Sequence, residues 1–597
     1  METTIKRHYQ NNKKQYEGQL AGLRKTDNSL VLYRSLAALS MVGLLIYGYM
    51  KGFPNFYFYV LPVLFVFVLM VQKHKKVRRK IIHIENLLQI NLWALARISG
   101  HWTKFSWRGE SFLDPEHPFA SDLNIFGQDS LFQYINAANL VTGEQALAKL
   151  FLGPTRAEDI NDRQMAIQDL SSRLSWRQHL QATGMSTQYR QNDLVNLWEW
   201  AKQGPLLANK TYIYLLWLLP LTTLVCLILM AYRIVPTSVP LALLILQVLL
   251  VVVGQVFIAK SLQNTERISE ELERLVLLLK HIEEATFQAP LLVTLQKKLV
   301  QKDQKASQQI KALAKIATLI NLRNSVVYHF INALIFWDLY TIRAMDQWKS
   351  RYGLFLEEWF EIIGQFEALS SIAALAHDNP HWVFPKVSEA GPSFSATDLG
   401  HPLINEASRI SNNVSLPQPG TIHIITGSNM SGKSTLLRTV GINLVLAYAG
   451  APACAKNMHC SLMNIYTSMR IQDNLEQSIS SFYAELKRIK LVIEAANQGH
   501  PLIFLLDEIF RGTNSRDRIA GARTIIKNLA KQSVIGFVTT HDLELSTLAS
   551  EYPQRIKNYH FTDAIINNEM TFDYRLKEGV SQTTNAIALM KMIGIDV

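Results

Sequence analysis

The sequence predicts an α + α/β protein, with an all-helical core carrying two apolar helical hairpins and an α/β domain after it. Three observations carry this expectation. Four long runs without charge fall in two pairs, at Ser35–Met50 with Gly52–Gln72 and at Thr211–Tyr232 with Ile234–Ala259. Amphipathic helical patterns fill the remainder up to about residue 378. From about residue 383, short β-branched runs alternate with turn signals and helical stretches, the pattern of a sheet with parallel core strands.

Composition agrees. The chain has 597 residues, 48% hydrophobic and only 18% charged, against roughly 25% charged in soluble domains. Its mean hydropathy is +0.06. With 28 Gly, 19 Pro and 3 Cys, a disordered, collagen-like or disulfide-rich chain is excluded. Cys226 lies in an apolar run, and Cys454 and Cys460 lack both CxxC spacing and a ligand set beyond His459, so free thiols in a reducing compartment are expected. The net charge of +12 is local. Residues 1–80 hold 14 Lys/Arg against Glu2, Glu17 and Asp27, leaving the other residues close to neutral, with no broad basic face for nucleic acid.

The 21 residues of Gly52–Gln72 would span roughly 31 Å as a helix, about one bilayer core. The runs are apolar around the whole helix circumference, where a surface helix keeps a polar stripe. Both pairs therefore read as transmembrane hairpins, over 32–72 and 211–259, with Arg233, Pro236 and Pro240 marking the second turn. About 30 polar residues precede the first run and no small-residue cleavage site follows, which argues against a secretory signal. Lys/Arg cluster before Val31 and at Lys73–Lys80, while the turns hold only Lys51 and Arg233. Four spans with both termini and all sizeable polar parts in the cytoplasm follow, and the basic cluster after Gln72 favours anionic headgroups. The expected divisions are a basic tail over 1–31, the first hairpin over 32–72, helices over 73–210 broken by an irregular stretch at His117–Gly127, the second hairpin over 211–259, long helices over 260–382, and the α/β domain over 383–597.

Within that last domain, Gly427-Ser428-Asn429-Met430-Ser431-Gly432-Lys433-Ser434-Thr435 follows the run TIHIIT and opens a helical pattern. This is the phosphate-binding loop GxxxxGK[ST] in its strand–loop–helix setting. Glycines let backbone N–H groups close around phosphate oxygens, and the helix N-terminus favours their charge. Lys433 suits the β/γ phosphates, and the Ser434 hydroxyl suits Mg²⁺. The apolar run Leu502–Leu506 ends in Asp507 and Glu508, at the strand end where open α/β sheets bind ligands. Asp507 is expected to hold Mg²⁺ through water, and Glu508 to polarise the attacking water. A third strand end, Val538-Thr539-Thr540-His541-Asp542, offers an imidazole to the γ-phosphate.

These motifs resemble the MutS family of DNA mismatch-repair ATPases. ITGSNMSGKST stands where that family has a TGPNMGGKST-type loop, and DEIFRGTNSRD (507–517) stands for DEIGRGT followed by an Asp. The segment Asp473–Glu485 is similar to the family's stretch ending in S-T-F-x-x-E; HPL at 401–403 and LKEGVSQTTNAIALMKMIGI near the end match as well. Asn124–Gln133 through Ile160–Gln164 looks like the start of the family's helical core, so the resemblance spans roughly 120–200 and 365–597. It implies an ABC-type P-loop domain that binds ATP and Mg²⁺, with Ser480 as the signature serine inserted into the partner subunit's site, hence catalysis in a homodimer. It makes DNA a candidate partner and leaves any protein partner unnamed. The family's mismatch-reading domain, with its Phe-x-Glu wedge, has no counterpart, because apolar runs occupy that end, and the family's C-terminal dimer-reinforcing helices are not expected either. Ser428, Ser431, Phe510 and Arg518 replace a Pro and three Gly of the family pattern. The leading expectation is thus a membrane-anchored MutS-like ATPase. The alternatives are an ATP-driven transporter, disfavoured by spans almost free of charge, and an ATP-switched scaffold with a protein partner and no DNA role.

Overall fold

Residues 2–51 form one unbroken helix, α1 (Glu2–Lys51), and a second, α2 (Tyr57–Ile98), returns alongside it. The computed structural model describes residues 2–52, 57–153, 156–186, 191–205, 210–266, 269–324, 326–469, 481–510, 514–566 and 569–581. Polar pairs fix the antiparallel register of the two helices: Arg24 to Glu85 at 2.9 Å, Arg34 to His74 at 3.0 Å, and His74 to Asp27 at 2.9 Å. The segment expected as a tail is thus helical and docked. Tyr9 is buried and donates to Asp378 Oδ1 at 2.5 Å.

Both helices are long and apolar enough to cross a membrane, and only 6% of either apolar window is buried. Leu39 and Phe65 are more than 60% exposed, which no core helix would tolerate. The second pair is α5 (Lys210–Ala231) and α6 (Ser238–Glu266). Its described apolar stretches, Trp217–Ala231 and Ser238–Val253, are shorter than a bilayer span. Among the described residues, two helices are thus both long and apolar enough to span, against the four that the sequence predicts.

Between and after the hairpins lie helices that build a common core: α3 (Val141–Leu152), α4 (Leu174–Gly184), α7 (Ser269–Glu283), α8 (Ala306–Asn321) and α9 (Leu356–Asp378). Helix α9 is buried along almost its whole length. It crosses α3 at Gly364, where a Cβ would stand 2.6 Å from the Thr142 carbonyl, so only glycine permits the approach.

Among the described residues the α/β domain holds two larger sheets and a two-stranded antiparallel pair, Asp563–Ile566 with Glu569–Phe572. A four-stranded sheet contains β1 (Lys386–Ser388), β2 (Phe394–Leu399), β3 (Asn412–Leu416) and, further along the chain, β5 (Asn457–Ser461), in the order β1-β5-β2-β3. The larger sheet is built from β4 (Ile422–Thr426), β6 (Asn464–Ser468), β7 (Leu502–Asp507), β8 (Val534–Thr540), β9 (Ile556–His560) and β10 (Lys577–Glu578). Its order is β10-β9-β4-β8-β7-β6, and all its strands are parallel except β10. Strands β4, β7 and β8 are buried at every position, as their unbroken apolar texture requires for a sheet covered on both faces. The covering helices are α10 (Lys433–Tyr448), α11 (Ser481–Asn497) and α12 (Ser515–Lys531).

One buried cluster runs from the helical core into this domain, from Leu123 and Ile125 to Val440 and Leu505. The irregular stretch at 117–127 is the clasp. The Asp122 side chain is wholly buried, pairs with Arg488 at 2.7 Å, and accepts from Thr467 Oγ1 at 2.7 Å and from the Met469 N–H at 3.1 Å.

Glu367 of α9 accepts from the N–H groups of Asn139 and Leu140, just before α3. Burial pushes its carboxyl up to about 8 from an ordinary 4.5, against the pull of those two donors. The folded chain therefore keeps a proton that the unfolded chain loses as pH rises above 4.5. That contribution to stability is complete below 4.5 and is lost as pH rises through about 8. Unfolding measured at pH 5 and pH 8 should show Glu367→Gln with a flatter pH dependence than wild type, the difference amounting to at most about 4 kcal/mol.

Candidate functional site

Strand β8 lies between β4 and β7, and its register places Thr540 beside Thr426 and Thr539 beside Asp507. All three strands therefore release their next residues at the same sheet edge: the loop 427–432 from β4, Glu508 from β7 and His541 from β8. The loop then leads directly into α10, whose first residue is Lys433.

Two glycines give the loop its shape. Gly432 has φ 106°, and Gly427 has φ 150° with Ser431 Oγ and the Phe561 carbonyl so close that a Cβ would meet them at 2.9 and 3.1 Å. Met430, at φ 67°, holds the tip and is 85% exposed. Lys433 is buried, and its Nζ donates to the carbonyls of Gly427 and Ser428, both at 2.9 Å. That places an ammonium inside the loop's curve, 3.8 Å from Glu508 Oε1. Among the described residues, the buried hydroxyls of Ser428 and Ser431 have no hydrogen-bond partner, so the loop carries spare donors besides its backbone N–H groups. Thr435 lies on the exposed side of the first turn.

Asp507 is buried and hydrogen-bonded through both oxygens, Oδ2 from Ser434 Oγ at 2.6 Å and Oδ1 from the Thr539 hydroxyl. Thr539 escaped notice in the sequence, where it reads only as a β-branched strand residue. Glu508 takes a left-handed φ of 52°, with its N–H bonded to the Thr539 carbonyl, and this strained backbone swings its carboxylate toward His541. His541 Nε2 stands 2.6 Å from Glu508 Oε1, 2.8 Å from Asn429 Oδ1 and 3.4 Å from Lys433 Nζ. The two nearer neighbours of this ring nitrogen are oxygen atoms, a setting that favours the tautomer with the proton on Nε2. Behind it, Arg518 grips Asp542 with two bonds of 2.8 Å, which anchors the strand end bearing His541.

Of the sequence-predicted residues, Gly427 to Thr435, Asp507, Glu508 and His541 thus meet at one edge. Ser480 and Arg511–Thr513 lie outside the described residues, as does most of the motif at 576–595. The described end of the signature segment does reach the site. Glu485, in the first turns of α11, is buried and accepts the Phe510 N–H at 2.5 Å, two residues beyond Glu508.

The donors fit a nucleoside triphosphate with a divalent cation. The loop is a glycine-shaped cradle with unpaired hydroxyls at the head of a four-turn helix, and Ser434 and Asp507 offer hard oxygens side by side.

Residues 423–596 match the family described as MutS domain V. Over these residues the chain carries a MutS-type domain, which supports membership of the MutS family. It is 32% identical over 240 residues to the DNA mismatch repair protein MutS of Aquifex pyrophilus, covering 39% of this chain and 27% of that protein. It is 26% identical over 298 residues to the DNA mismatch repair protein MSH3 of Candida glabrata, covering 47% of this chain and 28% of that one. The Endonuclease MutS2 of Carboxydothermus hydrogenoformans is 28% identical over 249 residues, 40% of this chain and 30% of the relative. The MutS-like chain thus spans less than a third of the length of each of these relatives.

Truncating Glu485 would remove the carboxylate that accepts the buried Phe510 N–H. Glu485→Ala should lower unfolding free energy by about 1–3 kcal/mol, and Glu485→Gln, which keeps a carbonyl acceptor, should lose less; urea titration of both variants checks this.

Proposed function

We propose that this protein is a membrane-anchored MutS-like ATPase that binds and hydrolyses ATP at a composite site between two subunits. The observation that carries the reading is the convergence of Lys433, Ser434, Asp507, Glu508 and His541 within hydrogen-bonding and ion-pair reach of one another at one sheet edge.

In this reading the loop 427–432 and Lys433 bind the phosphates, the loop by its N–H groups and Lys433 by its ammonium. Ser434 and Asp507 would hold Mg²⁺, which when bound neutralises phosphate charge. Glu508 orients the attacking water and takes its proton, and its left-handed backbone fixes the direction of that carboxylate. His541 Nε2–H, supported by Asn429 and by the Arg518–Asp542 clamp, donates toward phosphate oxygen. Ser480 completes the partner subunit's site by the family resemblance, so turnover requires a dimer. Tying Glu485 to Phe510 supports a coupling between the signature segment and the catalytic edge.

The exposed apolar lengths of α1 and α2 support a membrane hairpin, and the exposed apolar faces of α5 and α6 support a second, giving four spans with the ATPase domain cytoplasmic. Helices over 260–382 then link nucleotide state to the hairpins. The names of the relatives bring DNA as a partner of the same motor.

ATP turnover by the detergent-purified chain tests this directly. Glu508→Gln should lower turnover by roughly 10²–10⁴-fold while retaining ATP, whereas Lys433→Ala should abolish nucleotide binding. Ser480→Ala should bind ATP and fail to turn it over; normal turnover by that variant would disprove the composite site. Added duplex, plain or mismatched, should stimulate turnover in a salt-sensitive manner if DNA is the partner. Turnover indifferent to DNA would assign the motor to a protein or membrane partner.

A further inference from the structure

A cavity of about 2090 Å³ opens between the first hairpin and the helical core, walled by α1, α2, α4, α7 and α8. Its rim includes Arg34, which immediately precedes the uncharged run of α1, and Val71, at the end of the uncharged run of α2. The cavity therefore lies at the level where the apolar hairpin gives way to polar structure.

Its charge is one-sided. Nine Lys/Arg line it against a single acid, Glu273, and that acid is taken by Arg79 at 2.7 Å. The cations come from segments far apart in sequence, so no single charge run accounts for them: Lys75 and Lys80 from α2, Lys311 and Lys315 from α8. Among the described residues, none of these four lysines has a carboxylate within ion-pair distance. Lys311 and Lys315 are four apart on one helix face, a spacing at which like charges repel unless an anion lies between them. His83 and His179 stack in the wall with ring nitrogens 2.8 Å apart. Burial above all, then the neighbouring imidazoles, holds His83 down at about 4, so the cationic character belongs to the lysines and arginines. The same cavity is partly apolar, through Val71, Leu277 and Leu319.

We propose that this cavity binds the phosphate headgroup of an anionic phospholipid, with the acyl chains lying along the exposed apolar sides of α1 and α2. A free phosphate shares the headgroup's chemistry, but the apolar wall and the position at the end of the uncharged runs favour the lipid. A headgroup held between α2 and α8 would tie the membrane hairpin to the long helices that lead to the ATPase domain. The inference rests on the first hairpin standing in a bilayer.

The test uses the full-length chain in neutral detergent, with phosphatidylglycerol or phosphatidylcholine added and bound lipid counted by native mass spectrometry. Phosphatidylglycerol should be retained at least tenfold more than phosphatidylcholine, and that preference should disappear in the double variant Lys311→Gln, Lys315→Gln, both exposed positions on α8. Equal retention of the two lipids, or an unchanged preference in the variant, would overturn the proposal. Displacement of phosphatidylglycerol by equimolar inorganic phosphate would overturn it in favour of a soluble anion, and displacement by duplex DNA in favour of nucleic acid. Alkaline extraction of membranes separates the underlying reading. A protein released by carbonate has no membrane hairpin; one that stays in the pellet without selecting phosphatidylglycerol lacks only the lipid site.

Discussion

The site depends on the pairing of β8 between β4 and β7. Because the strands are parallel and in register, their C-terminal ends are level, and residues more than a hundred positions apart emerge side by side. A slip of one residue would turn Thr539 to the opposite face of the sheet and remove its hydroxyl from Asp507. The register is held by fully buried positions along all three strands, so the energetics of the core and the geometry of the candidate site are one constraint.

The edge is also wired to what lies behind it. Asp122 fastens the helical core to β6 through Thr467 and to α11 through Arg488, and Glu485 fastens α11 to the loop beyond Glu508. A displacement of α11 would therefore be felt at both the Glu508 strand end and the helical core. On the far side, Tyr9 joins the base of the first hairpin to the end of α9. The buried contacts thus form a continuous path from hairpin to sheet, the kind of packed network that can carry coupling when its elements have two arrangements.

The departures from the family pattern acquire physical meaning in this setting. Phe510 stands at φ 66°, where a glycine would be unstrained, but its ring covers Gly521 of α12, where a Cβ would meet it at 2.7 Å. Strain in the backbone is offset by burial of the ring. Arg518 supplies the clamp on Asp542 that a glycine cannot. Ser428 and Ser431 place two additional hydroxyls in the loop without altering the two glycines that shape it.

The sequence by itself determined the α + α/β class, the strand–loop–helix at 422–435, the paired acids after β7, the His541 strand end and the resemblance to the MutS family, because each is written in local residue order: strand–loop–helix punctuation, apolar runs and short motifs. It also determined the local concentration of positive charge. Only the tertiary structure decided that the basic N-terminal segment is a docked helix, since a polar amphipathic stretch looks the same in solvent or against a partner until Tyr9 finds Asp378. Thr539 and Glu485 as supports of the site, Asp122 as a clasp and the lysines of α8 facing those of α2 were likewise decided there. Each depends on contacts between residues from 25 to 369 positions apart, and local sequence patterns do not encode such distances. The second hairpin marks the same boundary: uncharged runs announce an apolar surface, but which lengths stand exposed is a property of packing.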